Sequence, residues 1–219
     1  IPAGNVQASF KSSKQTSPAT WQHSREDGNE ICSLWFDIPN DIGPPVFMYY
    51  RLTNFYQNHR RYVQSQSLDQ LQGKAVPNET IKGGLCEPLA VDDKTGKAYY
   101  PCGLIANSLF NDTIPSPVFV NHEDEGYFMT NIGIAWESDR QLIKNTQYKP
   151  WEVVPPPYWR ERYGDHYTEE NLPQLHDNEE FMVWIRTAGL PDFSKLSRRN
   201  DTAPMRAGTY RLDIGLSMF

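Results

Sequence analysis

The stretch CSLWFDI at residues 32–38 has apolar side chains at every second position, and this alternation decides the fold class. A period of two places alternate side chains on one face of a β-strand. Turn-forming residues follow at 39–44, and residues 46–52 then predict a second strand, so the pair is a candidate β-hairpin with a long loop. The same alternation returns at residues 210–216. We therefore expect a mainly β fold with a few short helices and long loops.

The composition of the 219 residues narrows the class of protein. Aromatic residues make up 13%, which favours pleated, half-buried surfaces, and 17 prolines divide the chain into short segments. The net charge is −6 and no long basic run occurs, so we expect no nucleic-acid partner. No apolar stretch approaches the 18 residues that a membrane-spanning helix needs.

Two regions are predicted from the change in polarity along the chain. Residues 1–30 are polar and are expected to form an extended arm, and residues 31–219 are expected to form a single β-rich domain. Shorter elements are predicted within that domain, namely helices over residues 53–65 and 103–110 and strands over residues 118–120, 132–136 and 181–186.

The three cysteines are Cys32, Cys86 and Cys102, and the odd number leaves one without a partner in this sequence. Cys86 and Cys102 are 16 residues apart. A disulfide that closes a loop of this size stabilises a fold by roughly 3 kcal/mol on the chain-entropy model. The alternative is that the two are unrelated buried thiols.

Three Asn-x-Thr sequons begin at Asn78, Asn111 and Asn200. A single sequon is weak evidence, but three in turn-rich surroundings favour a glycosylated lumenal or extracellular surface. These three asparagines are the predicted glycosylation sites.

No pattern of residues points to catalysis or metal binding. The five histidines lack the spacing of metal ligands, and the chain contains neither a phosphate-binding loop nor a nucleophile elbow. The carboxylates at residues 169, 170, 177, 179 and 180 could form an acid/base pair, but a solvated charged face is the better explanation. We therefore predict no catalytic residue, no metal site and no cofactor.

One polar-aromatic cluster stands out within the predicted helix over residues 53–65. It contains Phe55, Tyr56, His59, Arg60 and Arg61. The cluster is a candidate interface with a partner. In the alternative, the rings pack inward and the arginines pair with acidic loops.

Four motifs carry a resemblance to a known family. They are YYRLTNFYQNHRRYV at residues 49–63, PCGLIANSLFNDT at 101–113, VWIRTAGLP at 183–191 and GTYRL at 208–212. The chain closely resembles the ligand-effect-modulator family, the non-catalytic β-subunits of type-IV P-type ATPases, which are phospholipid flippases. The segments VVPPP at 153–157 and YTEENLP at 167–173 are most similar to fungal members.

The resemblance implies an asymmetric antiparallel β-sandwich, the ectodomain of a protein with a membrane helix on each side of it. It also implies a disulfide between Cys86 and Cys102 and a glycan on Asn111. Cys32 matches one of four further family cysteines, so it is unpaired here or its partner lies upstream.

The function implied is that of an accessory subunit without enzymatic activity. It would bind a type-IV P-type ATPase, allow the complex to leave the endoplasmic reticulum and support phospholipid transport to the cytosolic leaflet. This domain would lie on the lumenal or extracellular side of secretory-pathway membranes. The alternatives are a secreted or lumenal lectin-like binding module and, third, a hydrolase whose titratable groups meet only in the folded chain.

Overall fold

The computed structural model describes residues 20–26, 29–120 and 125–216. They divide into two compact units. The first contains the described residues of 1–49, 111–132 and 196–219, and the second contains residues 50–110 and 133–195. The single domain expected over residues 31–219 stays a prediction.

The strands and helices are short and follow one another in an irregular order. The strands are β1 (Thr20–Glu26), β2 (Asn29–Ile38), β3 (Val46–Leu52), β4 (Ala98–Tyr99), β5 (Val118–Phe119), β6 (Val153–Val154), β7 (Phe193–Asn200) and β8 (Gly208–Leu216). The helices are α1 (Arg60–Val63), α2 (Leu68–Leu71), α3 (Asn78–Ile81), α4 (Leu104–Asn107), α5 (Glu137–Leu142), α6 (Arg160–Tyr163) and α7 (Glu179–Ile185), with single 3-10 turns at Pro150–Glu152, Pro157–Trp159 and Leu175–Asp177.

The first unit is built on a four-stranded sheet in the order β1-β2-β8-β5, and every pairing in it is antiparallel. Strand β2 lies at its centre, where Leu34 pairs with Leu212 of β8 and both side chains are buried. The predicted strands at 32–38 and 210–216 are therefore confirmed, because their alternating apolar residues line one covered face.

A second layer covers that sheet. Strands β3 and β7 form a two-stranded sheet. Val46 of β3 lies in one buried cluster with Ile38 of β2 and Tyr210 of β8, together with Tyr127, Met129 and Met205. This layering confirms the mainly β, antiparallel, sandwich-like fold.

The second unit consists mostly of short helices and loops around a buried apolar cluster. Its largest fully buried side chains include Trp184, Tyr100 and Phe181. Strands β4 and β6 are the exception to the antiparallel pattern, because they pair in parallel over two residues. The longest helix in the described residues has seven residues, and none of these helices could cross a membrane.

Four predictions about local structure are corrected by the fold. Residues 181–186 lie in helix α7 rather than in a strand, because the Asn178 side chain accepts a hydrogen bond from the Phe181 amide and caps that helix. Residues 132–136 form turns instead of a strand, and the helix expected over 53–65 contains only Arg60–Val63. The β-hairpin expected from residues 32–38 and 46–52 is not formed among the described residues, because β2 pairs with β1 and β8 whereas β3 pairs with β7. Strand β1 lies within residues 1–30, and the extended arm predicted there stays a prediction.

Candidate partner interface and modification sites

The predicted interface cluster divides into side chains that pack inward and side chains that point into solvent. The half-buried Phe55 ring makes edge-to-face contacts with Tyr62, Trp184 and Phe193 at centroid distances of 6.0, 5.6 and 6.2 Å. Edge-to-face contacts stabilise a fold beyond the free energy that comes from burying the rings. Phe55 therefore packs against three rings of the same unit, and its predicted place in a partner interface stays a prediction.

The other members of the cluster face the solvent. Tyr56 is 58% exposed, and His59, Arg60 and Arg61 are exposed beside it. Within residues 20–26, 29–120 and 125–216, neither arginine has a carboxylate at ion-pair distance. The ion pairs with acidic loops that the structural alternative assigned to these arginines are thus not formed among the described residues. We call Tyr56, His59, Arg60 and Arg61 the cationic turn.

Three polar side chains next to the cationic turn bond to distant parts of the chain. Gln57 is fully buried, and its Oε1 accepts a hydrogen bond from the Ala188 amide at 2.9 Å. The Asn58 Nδ2 donates to the Gly189 carbonyl oxygen at 3.1 Å. The Tyr62 hydroxyl hydrogen-bonds to the Ser108 Oγ at 2.8 Å. Since these contacts join residues far apart in the chain, the turn is held rigidly by the fold.

Three of the four sequence motifs meet at this place in the second unit. The motif at 49–63 contacts the motif at 183–191 through Gln57 and Ala188, and it contacts the motif at 101–113 through Tyr62 and Ser108. The motifs at 101–113 and 183–191 are joined by the Trp184 indole, which donates to the Ile105 carbonyl oxygen at 2.8 Å. The motifs are therefore parts of one packed core, with the cationic turn on its surface.

The structure contains a disulfide between Cys86 and Cys102, and both residues are buried. The buried Gln70 supports it: its Oε1 accepts from the Cys102 amide at 2.9 Å and its Nε2 donates to the Tyr99 carbonyl oxygen at 3.1 Å. Gly103 follows with a φ of 100°, and a Cβ there would lie 2.1 Å from the Ser65 carbonyl oxygen. Only glycine fits at that position.

Cys32 lies on β2, is buried, and has no disulfide partner among the described residues. Burial raises the pKa of its thiol, and the negative charge of Asp112 raises it further. A thiol in this state is poorly reactive because the thiolate is the nucleophile.

The three sequon asparagines lie in different surroundings, and each is half-buried. Asn78 begins α3, where its Oδ1 accepts from the Ala98 amide at 3.0 Å and its Nδ2 donates to the Gly96 carbonyl oxygen at 3.0 Å. Asn200 ends β7, and its Nδ2 donates to the Phe128 carbonyl oxygen at 2.8 Å. Asn111 begins the segment that leads to Thr113, whose backbone pairs with Gly215 of β8.

Catalytic and metal-binding chemistry has little support in the described residues. Their His, Cys, Asp and Glu side chains form no group of three or more that could hold a metal ion. A shallow groove of about 410 Å³ in the second unit is lined by Trp151 and by Lys97, Pro150, Val153, His166, Tyr167, Thr168 and Glu169.

Two buried charged residues escaped the sequence analysis, and a third, Glu179, is only 8% exposed although a solvated charged face was expected there. Asp92 is 4% exposed and Lys195 is 7% exposed. Neither belongs to a recognisable motif, and the partners of Asp92 include the distant Arg160. Only the folded chain shows that these charges are buried.

Comparison with known proteins identifies the family. Residues 5–218 match the model of the LEM3 (ligand-effect modulator 3) family / CDC50 family. The chain is 44% identical over 88% of its length to the "Phospholipid-transporting ATPase accessory subunit CRF1" of Saccharomyces cerevisiae, covering 48% of that protein. It is 41% identical over 98% of its length to the accessory subunit CDC50 of Chaetomium thermophilum, covering 57% of it, and 33% identical over 95% of its length to "Cell cycle control protein 50A" of Mus musculus, covering 61% of it.

The chain thus spans about half the length of the fungal relatives it matches. The match nevertheless extends over nearly all of this chain and over both of its units. The chain belongs to the LEM3/CDC50 family.

Proposed function

We propose that this chain is the lumenal or extracellular domain of a non-catalytic accessory subunit of a phospholipid flippase. The observation that carries the proposal is the identity of 41–44% with three fungal proteins named phospholipid-transporting ATPase accessory subunits. The enzyme would be a type-IV P-type ATPase, which hydrolyses ATP in its own chain. The accessory subunit would bind it, allow it to leave the endoplasmic reticulum and support its transport cycle.

The folded surface supports a role in binding another protein. The cationic turn presents Arg60 and Arg61 without an ion-pair partner in the described residues, on a backbone fixed by Gln57. Uncompensated exposed charge on a rigid support favours recognition of a partner with the opposite charge. We therefore propose the cationic turn as a contact with an acidic lumenal loop of the ATPase.

The disulfide and the sequons support a lumenal or extracellular location. A buried disulfide is stable in oxidising compartments and is rare in the cytosol. We propose Asn78, Asn111 and Asn200 as glycosylation sites. Glycosidase treatment of the full-length protein from its own cells tests this, because removal of N-linked glycans would increase its mobility on a gel. Unchanged mobility would refute the three proposed glycosylation sites.

Affinity purification of the tagged full-length protein from native membranes tests the main proposal. We expect a type-IV P-type ATPase to co-purify in near-stoichiometric amount, as measured by mass spectrometry. An unrelated glycoprotein of the same membranes with the same tag provides the control. Recovery without any P-type ATPase would refute the proposal. Specific binding of the protein to one sugar on a glycan panel would then favour the lectin-like alternative.

A further inference from the structure

One surface of the first unit exposes large apolar side chains. Phe47 and Tyr49 on β3 are 42% and 56% exposed, and Phe128 and Ile132 are 73% and 69% exposed. Isolated exposed apolar residues are common, but a group of them on one face usually marks a covered surface. We call these four residues the outer face.

Arg199 joins Phe47 to the segment that contains Phe128 and Ile132. Its backbone exchanges two hydrogen bonds of 2.9 Å with Thr130, in an antiparallel bridge. Residues paired in this way share a face, and the exposed Phe128 precedes Thr130 by two residues, which is the spacing of side chains on one side of an extended segment. The Arg199 guanidinium lies 5.4 Å from the centre of the Phe47 ring, which joins β3 to the same face.

The segment 127–129 packs against the core on the side opposite Phe128. Tyr127 and Met129, which flank Phe128 in sequence, are both buried in the cluster of the first unit. The alternation of buried and exposed residues leaves the Phe128 ring on the solvent side. A group attached beside the Phe128 backbone can therefore reach the exposed ring, whereas the other side of the backbone is filled by the core.

The sequon residue Asn200 lies beside the Phe128 backbone. Its Nδ2 donates to the Phe128 carbonyl oxygen at 2.8 Å. Its Oδ1 accepts from the amides of Thr202 and Ala203, both at 2.9 Å. Because both ends of the carboxamide are bonded, its plane is fixed, and so is the direction in which a substituent on Nδ2 would leave.

We propose that an N-linked glycan on Asn200 covers the outer face, with its first N-acetylglucosamine packed against Phe128. In the attachment step, a bond forms between the anomeric carbon of the sugar and Nδ2. The bond from that carbon to the diphosphate of a lipid-linked oligosaccharide donor breaks, and Nδ2 loses one proton. The remaining N–H can keep the hydrogen bond to Phe128. This inference rests on the lumenal placement proposed above.

The chemistry of the sugar suits this surface. A pyranose ring presents C–H groups on its faces and hydroxyls at its rim, so it can cover an aromatic ring while it stays hydrated. The covalent bond also holds the sugar beside Phe128, at an effective concentration on the order of millimolar or above. A bulky glycan rooted here would screen the outer face from other proteins.

The test uses the full-length protein purified from its own cells. Glycopeptide mass spectrometry first measures the occupancy of Asn200. Thr202→Ala then abolishes the sequon. Asn200 keeps its hydrogen bonds to backbone groups but loses the one that the Thr202 hydroxyl donates at 3.3 Å. Thr202→Ser keeps both the sequon and a hydroxyl and is the matched control. We expect Thr202→Ala to lower the thermal midpoint by roughly 2–4 °C and Thr202→Ser to leave it unchanged. Trimming of the glycan to one sugar should also leave it unchanged.

The involvement of Phe128 is tested by a double-mutant cycle. In a Phe128→Ala background, Thr202→Ala should cause no further fall in midpoint, because the sugar has lost the ring on which it packs. An unoccupied Asn200, or two shifts that simply add, would overturn the inference. Release of a co-purifying subunit by Phe128→Ala, with additive shifts, would identify the outer face as a protein interface instead. The lumenal placement itself would fail if Cys86 and Cys102 of the purified protein were reduced and no asparagine were glycosylated.

Discussion

The Arg160 guanidinium donates a hydrogen bond of 3.0 Å to the carboxylate of Asp92, which is buried. The same carboxylate accepts hydrogen bonds from the Tyr99 hydroxyl at 3.0 Å and from the Thr95 amide and hydroxyl at 3.1 and 2.8 Å. A single buried charge thus ties α6 to the turn that precedes β4. Burial raises the pKa of Asp92, but these hydrogen bonds lower it by more, so the pKa lies below its usual value.

We predict that Asp92→Asn lowers the free energy of unfolding at neutral pH by about 2–3 kcal/mol, because a carboxylate acceptor of charge-assisted hydrogen bonds is lost. The pKa of Asp92 is lower in the folded than in the unfolded chain. Its contribution is therefore complete above about pH 4 and is lost as the pH falls through the folded-state pKa. The variant should accordingly lose less stability than the wild type in acid.

Denaturant titrations between pH 2 and pH 7 measure this difference. Asp93→Asn is the matched control, since Asp93 is the exposed neighbour. Equal effects of the two substitutions would contradict the prediction.

Lys195 is predicted to make the stability depend on pH in the alkaline range. Its Nζ donates to the carbonyl oxygens of Val183, Trp184 and Arg186 at the end of α7. Burial and the neighbouring charge of Arg186 lower the pKa of Lys195 to about 8. The unfolded chain keeps the proton up to about pH 10.4, so it binds more protons than the folded chain between these values. Stability contributed by this group therefore rises with pH across that window.

Tyrosines also titrate in the alkaline range. The comparison of the wild type with Lys195→Met isolates the effect of Lys195 from theirs. The difference in unfolding free energy between wild type and variant should increase from pH 8 to pH 10.5 and then stay constant. A difference that is flat across this range would show that Lys195 keeps its proton in the folded chain.

The disulfide is predicted to contribute about 3 kcal/mol, because it constrains the 16-residue separation between Cys86 and Cys102 in the unfolded chain. Cys86→Ser should lower the thermal midpoint by on the order of 10 °C and reduce export of the full-length protein. Reductant should lower the wild type to the same midpoint without affecting the variant. An unchanged midpoint of the variant in non-reducing buffer would contradict this contribution.

Alternation made the central strands predictable, because β2 and β8 bury one face of a sheet and so must place apolar residues at every second position. The same reasoning failed at Phe181. A short apolar run is compatible with a strand or a buried helix, and here the Asn178 cap and the burial of Phe181, Met182 and Trp184 favour a helix. Local pattern alone did not contain that information.

The candidate interface shows the same limit at the level of side chains. The sequence grouped Phe55 with Arg60 and Arg61, but it could not tell which of them point inward. Phe55 is held by Trp184 and Phe193, which lie more than 120 residues away in the chain. Burial of this kind is decided by tertiary contacts, so it became visible only in the folded chain.

The cationic turn is predicted to act in partner binding and not in folding. Charge reversal by Arg60→Glu with Arg61→Glu should reduce the recovered ATPase at least tenfold, because two like charges would then face the proposed acidic loop. The thermal midpoint should change by less than about 2 °C, since both side chains are exposed and unpaired among the described residues. The control is Lys94→Glu with Lys144→Glu, because it makes the same change of charge on exposed residues of the same unit.

Phe55→Ala, in the same segment, is predicted to lower the stability of the subunit without weakening its binding to the ATPase. Loss of a ring that packs against three others should lower the stability by about 3 kcal/mol. The amount of folded protein would then fall, but the ratio of ATPase to folded subunit would not. The opposite result would be an unchanged ratio in the arginine reversals and a lowered ratio in the lysine reversals. The contact with the partner would then lie on the side of Lys94 and Lys144, and the cationic turn would be an ordinary solvated surface. Salt is a second discriminator, because a contact made by exposed charges weakens as ionic strength rises.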